Sequence, residues 1–494
     1  MYKLFVVLFC MLTLDVAMFP LYVAGQRADT FAYYDSLTFD AYQRGDWQRL
    51  ISTGKNALSA GYDYYYLRMR LGIAYLESFN TAKAEKQFRK ALIWNKDDSN
   101  ARLFLFKSLS YQMKIVEAGH LFQTMDANEK WIADIPSGFR AVAAHLDFGY
   151  ATGTRSKNSS FKALSGGYGL YGQEYTERDN LMYDAGFHFQ PSPAWLLYVG
   201  VQHLGINTYD RFATLDYVLQ RDSVVISGSG KAYYFHPEAK ASITDFVHKL
   251  NQNSFYLQAQ WAGSDRWSLV AGMHLLEVRR GMVISSLDSM NLTDTAYFNA
   301  SDEQLEMFSF VVPTVQFSDI SWKTIDYSFS VHSRYHFGRF TAISGIGKAS
   351  LNDTSLFQFN TGYQLLPLGN LKLVQQGEFY VLLYNQKAHL AYRASLAWQA
   401  TPRLSFESDL LVGALNNLSE QFGYIVYNNP EKVKLRLEFS VSWLANSHLQ
   451  LHVWYRLRQA HQSFLYAIQN SPDLQSGSYS IKSNTFIGGI KWIF

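Results

Sequence analysis

The sequence predicts a two-domain α + β protein: a helical N-terminal domain, then an antiparallel transmembrane β-barrel of about 14 strands, within a range of roughly 12–16. Three observations support this prediction. A helical pattern repeats near the N-terminus, side chains alternate between apolar and polar from residue 139 onward, and tight turns alternate with long connections. Aromatic residues make up 16% of the chain and charged residues only 17%. No later segment approaches the run of about 18–20 apolar residues that a transmembrane helix needs.

Residues 1–25 are typical of a secretory signal peptide. Lys3 supplies the positive charge, residues 4–14 the apolar core, and the small residues 23–25 (VAG) the cleavage site. Cys10, the only cysteine, lies inside this segment. The mature chain is therefore predicted to lack cysteine and disulfides.

Residues 26–136 are predicted to form a periplasmic domain of about three helical repeats, spaced by 34 residues. Small residues let neighbouring helices approach, and aromatic residues fill the space between them. The packing positions are Leu71, Gly72, Tyr75, Ala84, Phe88, Ala91, Ala118 and Phe122. Their spacing resembles the tetratricopeptide repeat (TPR), with Lys96 in place of the helix-ending proline. The resemblance implies a short TPR solenoid whose groove binds a periplasmic protein or peptide. An irregular helical bundle is the alternative, and three registers at one period argue against it.

Residues 137–494 are predicted to form the barrel, because two-residue alternation replaces helical spacing. In the cleanest strand, Val433, Leu435 and Leu437 face one way, and Lys434 and Arg436 face the other. The predicted strands span residues 141–151, 180–190, 194–209, 254–263, 267–281, 324–337, 340–350, 355–366, 371–385, 387–400, 404–415, 432–446, 449–464 and 479–494.

The connections distinguish a transmembrane barrel from a soluble sandwich. Even-numbered strands are followed by tight turns, such as residues 191–193 and 401–403. The long connections follow odd-numbered strands and span residues 152–179, 210–253, 282–323, 416–431 and 465–478. Outer-membrane barrels keep short turns in the periplasm and long loops outside. We therefore expect a barrel in the lipid bilayer of the outer membrane, with the N-terminal domain in the periplasm. The loops 210–253 and 282–323 are long enough to fold into the lumen.

The last strand resembles the C-terminal assembly signal of bacterial outer-membrane proteins. Gly489, Trp492 and Phe494 carry the resemblance, while Ile487 stands where that signal usually has a polar residue. The alternation directs Trp492 and Phe494 to lipid and Lys491 to the lumen. The resemblance implies that the barrel assembly machinery is a partner during insertion.

Basic side chains are predicted to line the lumen of the later strands. They are Arg393, Lys434, Arg436, Arg456, Arg458 and Lys491. One interpretation is that they pair with carboxylates, such as Glu407, Asp409 and Glu438, and make the barrel rigid. The other is a cationic wall that guides an anionic substrate.

No motif predicts catalysis, a metal site or a cofactor. His332 and His336 lie about 14 Å apart on one strand, too far to share an ion. His145 and Asp147 lie closer, without a nucleophile motif beside them. The net charge of +3, without a basic tract, gives no indication of a nucleic-acid partner. We therefore expect a protein that is not an enzyme.

A TPR domain fused to an outer-membrane barrel resembles two families, the surface lipoprotein assembly modulators and the TPR-containing exopolysaccharide exporters. The resemblance is one of layout across the chain, without a motif specific to either family. It implies that the helical domain recruits a client or partner for export or assembly of a surface lipoprotein or polysaccharide. The alternatives are a closed anchor whose TPR domain docks a complex, and a passive porin.

Overall fold

The computed structural model describes most of the chain after the N-terminal segment. The described residues are 30–133, 139–152, 170–226, 230–298, 304–428, 432–467 and 474–494. The signal peptide interpretation, for residues 1–25, lies outside them.

Seven helices form the N-terminal domain within the described residues. They are α1 (Phe31–Gln43), α2 (Trp47–Ser59), α3 (Tyr65–Glu77), α4 (Thr81–Trp94), α5 (Ser99–Ser110), α6 (Ile115–Gln123) and α7 (Ala127–Ala133). The first helices of three successive pairs begin at Phe31, Tyr65 and Ser99, so each pair starts 34 residues after the one before. No helix in the described part of the chain is both long and apolar enough to cross a membrane.

Capping and small residues explain these helix pairs. The side chains of Asp46, Asn80 and Asp98 each accept a hydrogen bond from the backbone N–H three residues later, which satisfies an otherwise unpaired donor at the helix start. All eight packing positions of the repeat are buried. Gly72 lies against the ring of Phe88, where any Cβ would crowd that ring. The missing side chain lets α3 and α4 pack closely.

The C-terminal domain is a closed antiparallel barrel of fourteen strands, as predicted. They are β1 (Arg140–Thr152), β2 (Leu170–Ser192), β3 (Trp195–Ile226), β4 (Gly230–Ala262), β5 (Trp267–Phe298), β6 (Gln304–Phe337), β7 (Phe340–Leu351), β8 (Thr354–Leu365), β9 (Leu373–Tyr384), β10 (Lys387–Gln399), β11 (Leu404–Gly413), β14 (Lys432–Leu444), β15 (Leu449–Ala467) and β16 (Leu474–Ile493). Neighbours in sequence pair with each other, and β1 pairs with β16 to close the barrel. The short strands β12 (Ser419–Glu420) and β13 (Ile425–Val426) form a separate two-stranded sheet.

The outer surface of the barrel is apolar and aromatic. Phe439, Val441 and Trp443 of β14 are exposed there. Trp492 of β16 and Phe494, just beyond its end, are exposed on the same outer surface, whereas Ile487 is buried on the lumen side. A closed sheet leaves no unpaired edge, so this apolar belt suits a lipid environment.

The interpretation of residues 210–253 and 282–323 as long loops is wrong. The pair β3 and β4 stays in register from Trp195 and Trp261 to Ile226 and Gly230, and β5 and β6 continue in the same way. Backbone pairing extends beyond the 9–11 or so residues that span a membrane. The outer parts lack a regular apolar face, so the alternation that marks a lipid-facing strand fades while the hydrogen bonds continue.

The two ends of the barrel differ. The end that carries the connections 263–266 and 400–403 is called the turn end here; the opposite end, called the loop end, carries the two-residue turns 352–353 and 385–386 and the connection between β11 and β14. At the loop end β15 also pairs with β2, through Phe464 and Glu174. These strands are separated by β1 and β16 around the barrel, so the extra pairing draws two sides of the loop end together.

The helical domain docks on the turn end. The backbone N–H of Ala82 donates to the Gly369 carbonyl at 2.9 Å, and the Thr81 hydroxyl donates to the same oxygen at 3.1 Å. Arg89 forms an ion pair with Asp265 and donates to its carbonyl at 2.8 Å. Helix α4 is therefore fixed to the β4–β5 and β8–β9 turns.

Helix α6 reaches into the mouth of the barrel. Glu117 Oε1 lies 2.8 Å from His336 Nε2, and both side chains are buried. Burial acts to raise the pKa of the Glu117 carboxyl, but the hydrogen bond and charge of His336, together with Arg334, outweigh it and lower the pKa to about 2. Glu117 is therefore ionised at neutral pH. Gly119 lies so close to the Pro193 carbonyl that a Cβ would overlap it, so this contact depends on glycine.

Candidate functional site: the plugged lumen and the cleft at its mouth

A segment between β11 and β14 lies inside the barrel. We call residues 414–428 the plug. Its core is the β12–β13 hairpin, joined by a 3-10 turn at Gln421–Gly423. Gln421, Phe422 and Gly423 all have positive φ values, of 52°, 62° and 92°. This run of left-handed residues forms a tight turn, and it places two consecutive backbone carbonyls against the barrel wall.

Polar side chains of the wall hold the backbone of the plug. Gln358 accepts from the Ser419 N–H at 3.0 Å and donates to its carbonyl at 2.5 Å, as a paired strand would. The hydroxyls of Tyr256 and Ser330 each donate to the Phe422 carbonyl at 3.0 Å. Since these groups lie on β4, β6 and β8, the plug is anchored from several directions.

Apolar side chains pack around the first residues of the plug. Leu415 and Leu418 are fully buried, and they belong to a cluster with lumen-facing residues such as Leu351, Leu382 and Leu411. Plug side chains therefore occupy the described part of the lumen around Leu415 and Leu418.

An ion-pair network fixes the plug to β10, β11 and β14. Arg436 is 1% exposed and Glu420 of the plug is 0% exposed. Arg436 forms ion pairs with Glu420 and with Asp409, and its guanidinium also bonds the Tyr427 hydroxyl. Arg393 Nε donates to the other Asp409 oxygen at 2.7 Å. Buried charges are tolerated only when they are paired and hydrogen-bonded, and here each charged group has at least one partner of the opposite charge.

The predicted basic row is therefore mostly neutralised by carboxylates. Arg456 pairs with Glu438, and Arg458 lies 3.4 Å from Glu177 on β2. Together with Arg393 and Arg436, these contacts fit the interpretation that charges pair across strands, rather than the interpretation of an open cationic wall. Lys491 lines the central cavity described below.

Lys434 does not join this network, because β14 contains a β-bulge between Val433 and Leu435. Lys434 is exposed at the bulge, and Val433 is buried against the plug. Strict alternation predicted the opposite orientation for these two residues. A bulge adds one residue to a strand and so inverts the phase on one side of it.

A polar cavity of about 590 Å³ lies between the plug and the wall. Histidines, aromatic rings, glutamines and carboxylates line it, and the plug contributes Gln421, Phe422 and Tyr424. Lys491 and His188 also face this space. Its lining residues are mostly polar, so the cavity is suited to polar solutes.

A second cavity, of about 630 Å³, lies where the helical domain meets the turn end. We call it the junction cleft. Six of its twelve lining residues are basic: Lys83, Lys86, Arg89, Lys90, Arg266 and Arg339. Among the described residues, only Arg89 of this group forms ion pairs, with Glu85 and Asp265.

Positive charge in the junction cleft is thus largely uncompensated. Burial, then the charges of Arg339 and Lys55, lower the pKa of Lys83. Lys86 and Lys90 project from α4 and are exposed. A concave surface with an excess of one charge concentrates ligands of the opposite charge. A cationic wall in the lumen was one of two interpretations of the sequence; among the described residues, lysines and arginines without an ion pair gather in the junction cleft.

Several important residues were not predicted from sequence. Glu420, Tyr424 and Tyr427 lie in a connection that was interpreted only as a long loop. The sequence offered one indication of this arrangement. The connection contains a carboxylate, and the strands beside it carry more arginines than acidic residues. The lysines of α4 recur at residues 83, 86 and 90, which places them on one helix face.

Comparisons with known proteins find only distant structural similarity. No family model matches the chain, and no curated protein matches it. A solved FadL homologue of Pseudomonas aeruginosa has 8% identity and a TM-score of 0.34, over 76% of this chain and 92% of that one. The toluene transporter TodX of Pseudomonas putida has 9% identity and a TM-score of 0.29, over 72% and 89%. The translocator domain of the autotransporter NalP from Neisseria meningitidis has 8% identity and a TM-score of 0.27, over 78% and 99%.

These similarities are too low to support an argument about substrate or activity. The closed fourteen-stranded antiparallel barrel, with its apolar exterior, is of the type found in the outer membrane.

Proposed function

We propose that the protein is an outer-membrane export or assembly factor whose periplasmic TPR-like domain delivers an anionic client to the barrel. The client is a surface lipoprotein or an acidic polysaccharide. The junction cleft carries this proposal, because helix α4 and two barrel turns together form one basic concave surface. The 34-residue spacing of the helix pairs supports the TPR assignment, and short turns at the docked end support a periplasmic location.

Reversing charge in the junction cleft tests this proposal. We expect the double variant Lys86→Glu, Lys90→Glu to lose a surface component while inserting normally, since both lysines are exposed and contribute little to the fold. The measurement compares surface proteins and surface polysaccharides of cells that carry the wild type or the variant as their only copy. The variant's amount in the outer-membrane fraction is measured in parallel.

The matched control is Arg49→Glu, Lys96→Glu, which changes the charge equally at exposed positions of the same domain outside the cleft. It should leave the cell surface unchanged. An unchanged surface in the cleft variant, or an equal loss in the control, would contradict delivery through the cleft.

The second candidate is a closed anchor whose helical domain docks a complex. The anchoring of the plug from several sides favours it. In that case the plug never leaves the lumen.

Locking the plug separates the two candidates. The hydroxyls of Ser328 on β6 and Ser419 on the plug lie 3.0 Å apart, a position suited to a disulfide between introduced cysteines. If the barrel is a conduit, Ser328→Cys, Ser419→Cys should stop surface delivery when oxidised and recover it after reduction. Each single cysteine variant is the control. Undiminished delivery with a fully oxidised plug would support the anchor.

A further inference from the structure

Histidine, aspartate and tyrosine side chains meet in the lumen beside the seam where the barrel closes. His145 and Asp147 lie on β1 and Asp184 on β2, and one ligand atom of each lies within 4.8 Å of the others. His145 Nε2 lies 2.8 Å from Asp184 Oδ1, and His452 Nε2 of β15 lies 2.7 Å from Asp147 Oδ1. Tyr424 of the plug donates to Asp184 at 2.8 Å.

Both carboxylates are buried without a permanent cation. Asp147 and Asp184 are 4% and 3% exposed. Lys491 lines the same cavity as Asp147, yet it forms no ion pair with a described residue. The buried Asp409, by contrast, is paired with two arginines, Arg393 and Arg436. Each carboxylate faces an imidazole nitrogen, and among the described residues no lysine or arginine pairs with it, so nitrogen and oxygen donors of the kind that hold a divalent cation lie together here.

Glycines lie on the strands beside this cluster, where the Cβ of any other residue would collide with its side chains. A Cβ at Gly489 of β16 would overlap Asp147 Oδ1 and lie 2.5 Å from His452 Nε2. A Cβ at Gly186 would lie 2.5 Å from the ring of His145. Glycines on two strands therefore allow the four side chains to converge.

We propose that His145, Asp147, Asp184 and His452 bind one divalent transition-metal ion, with zinc as the best match. Two imidazole nitrogens and two carboxylate oxygens form a common zinc donor set, and imidazole disfavours magnesium and calcium. Tetrahedral bonds of roughly 2.0–2.2 Å place neighbouring donors about 3.4 Å apart. The ligand atoms of His145, Asp147 and Asp184 all lie within 4.8 Å of one another, and His452 Nε2 lies 2.7 Å from Asp147 Oδ1, so small movements of these side chains would bring the donors to this spacing.

Metal at this position would connect distant parts of the chain. The ligands come from β1, β2 and β15, and Asp147 and His452 are 305 residues apart in sequence. Sequence spacing therefore predicted no metal site. Because Tyr424 is bonded to the ligand Asp184, a bound ion would also strengthen the attachment of the plug to the wall. The site does not depend on the proposed function, and its test requires no client.

Zinc titration of the purified full-length protein, freed of metal with a chelator, tests the proposal. Calorimetry should show one zinc per chain, and His145→Gln should weaken binding at least about tenfold. The matched control His203→Gln removes an imidazole that bonds Asn253 and stacks on Tyr183 away from the cluster. It should bind zinc as the wild type does. Zinc should also raise the melting temperature of the wild type and the control, but not of His145→Gln.

X-ray absorption of the zinc-loaded wild type gives a result that does not depend on any variant. The expected first shell contains two imidazoles and two oxygen donors. A wild type that takes up no stoichiometric zinc, a shell without imidazole, or equal affinity in His145→Gln would overturn the proposal.

Discussion

Arg436→Ala should open the barrel in planar lipid bilayers, where we expect the wild type to be nearly silent. Arg436 is the fully buried partner of both Glu420 and Asp409. Its loss leaves Glu420 of the plug without its principal cation in a site closed to water. Removing one partner of a buried ion pair costs about 3–5 kcal/mol. Even 3 kcal/mol corresponds to roughly a hundredfold change in an equilibrium constant, since about 1.4 kcal/mol is tenfold. The plug should therefore leave the lumen at least a hundred times more often.

Two further variants show whether the effect comes from the buried charge. Arg279→Ala removes an arginine that pairs with Glu277, but at 62% side-chain exposure. An exposed ion pair contributes only about 0–1 kcal/mol, so this variant should stay as silent as the wild type. The double variant Arg436→Met, Glu420→Met removes both charges and leaves the Arg393–Asp409 contact in place. It should be much less open than Arg436→Ala. A silent Arg436→Ala barrel would contradict a plug retained by this network.

The architecture could be predicted from the sequence because periodicity is a local property. The helix pairs follow from packing residues such as Gly72 and Phe88 at one spacing, and the strand count follows from alternation and turns. The prediction fails where a strand leaves the membrane, because the lipid that produces the apolar–polar alternation is no longer present. Beyond the membrane, β3 to β6 need no apolar face, so paired strands were interpreted as loops.

The site was predictable only in part, because its partners are distant in sequence. Alternation directed Arg458 toward the lumen, but its partner Glu177 is 281 residues away. Glu420 lies in a connection without periodicity, so no pattern indicated that it would enter the barrel and meet Arg436. Lys434 shows a different limit, because one extra residue in a bulge reverses the predicted orientation of Val433 and Lys434, whereas the prediction for Arg436 after the bulge is correct.

The second large effect concerns Gly489, for which sequence and structure give different roles. The sequence assigns it to an assembly signal with Trp492 and Phe494. In the structure it faces the lumen, where a Cβ would overlap the Asp147 carboxylate. We expect Gly489→Ala to destabilise the inserted barrel, because an atom added to a packed site costs about 1–3 kcal/mol. Gly488→Ala is the matched control, since a Cβ there meets nothing within 4 Å.

The two roles differ in what remains after insertion. If Gly489 acts as a signal only, Gly489→Ala lowers the amount of protein in the membrane, and the molecules that do insert unfold at the wild-type temperature. If it acts by making room for Asp147 and His452, the inserted molecules themselves unfold several degrees lower. Phe494→Ala supplies the reference for a pure signal defect, because that side chain is 59% exposed on the outer surface. The measurement is the temperature at which purified, inserted barrel loses its folded form. A lower unfolding temperature for Gly489→Ala, but not for Gly488→Ala or Phe494→Ala, assigns Gly489 to lumen packing. Equal unfolding temperatures in all three would rule that role out.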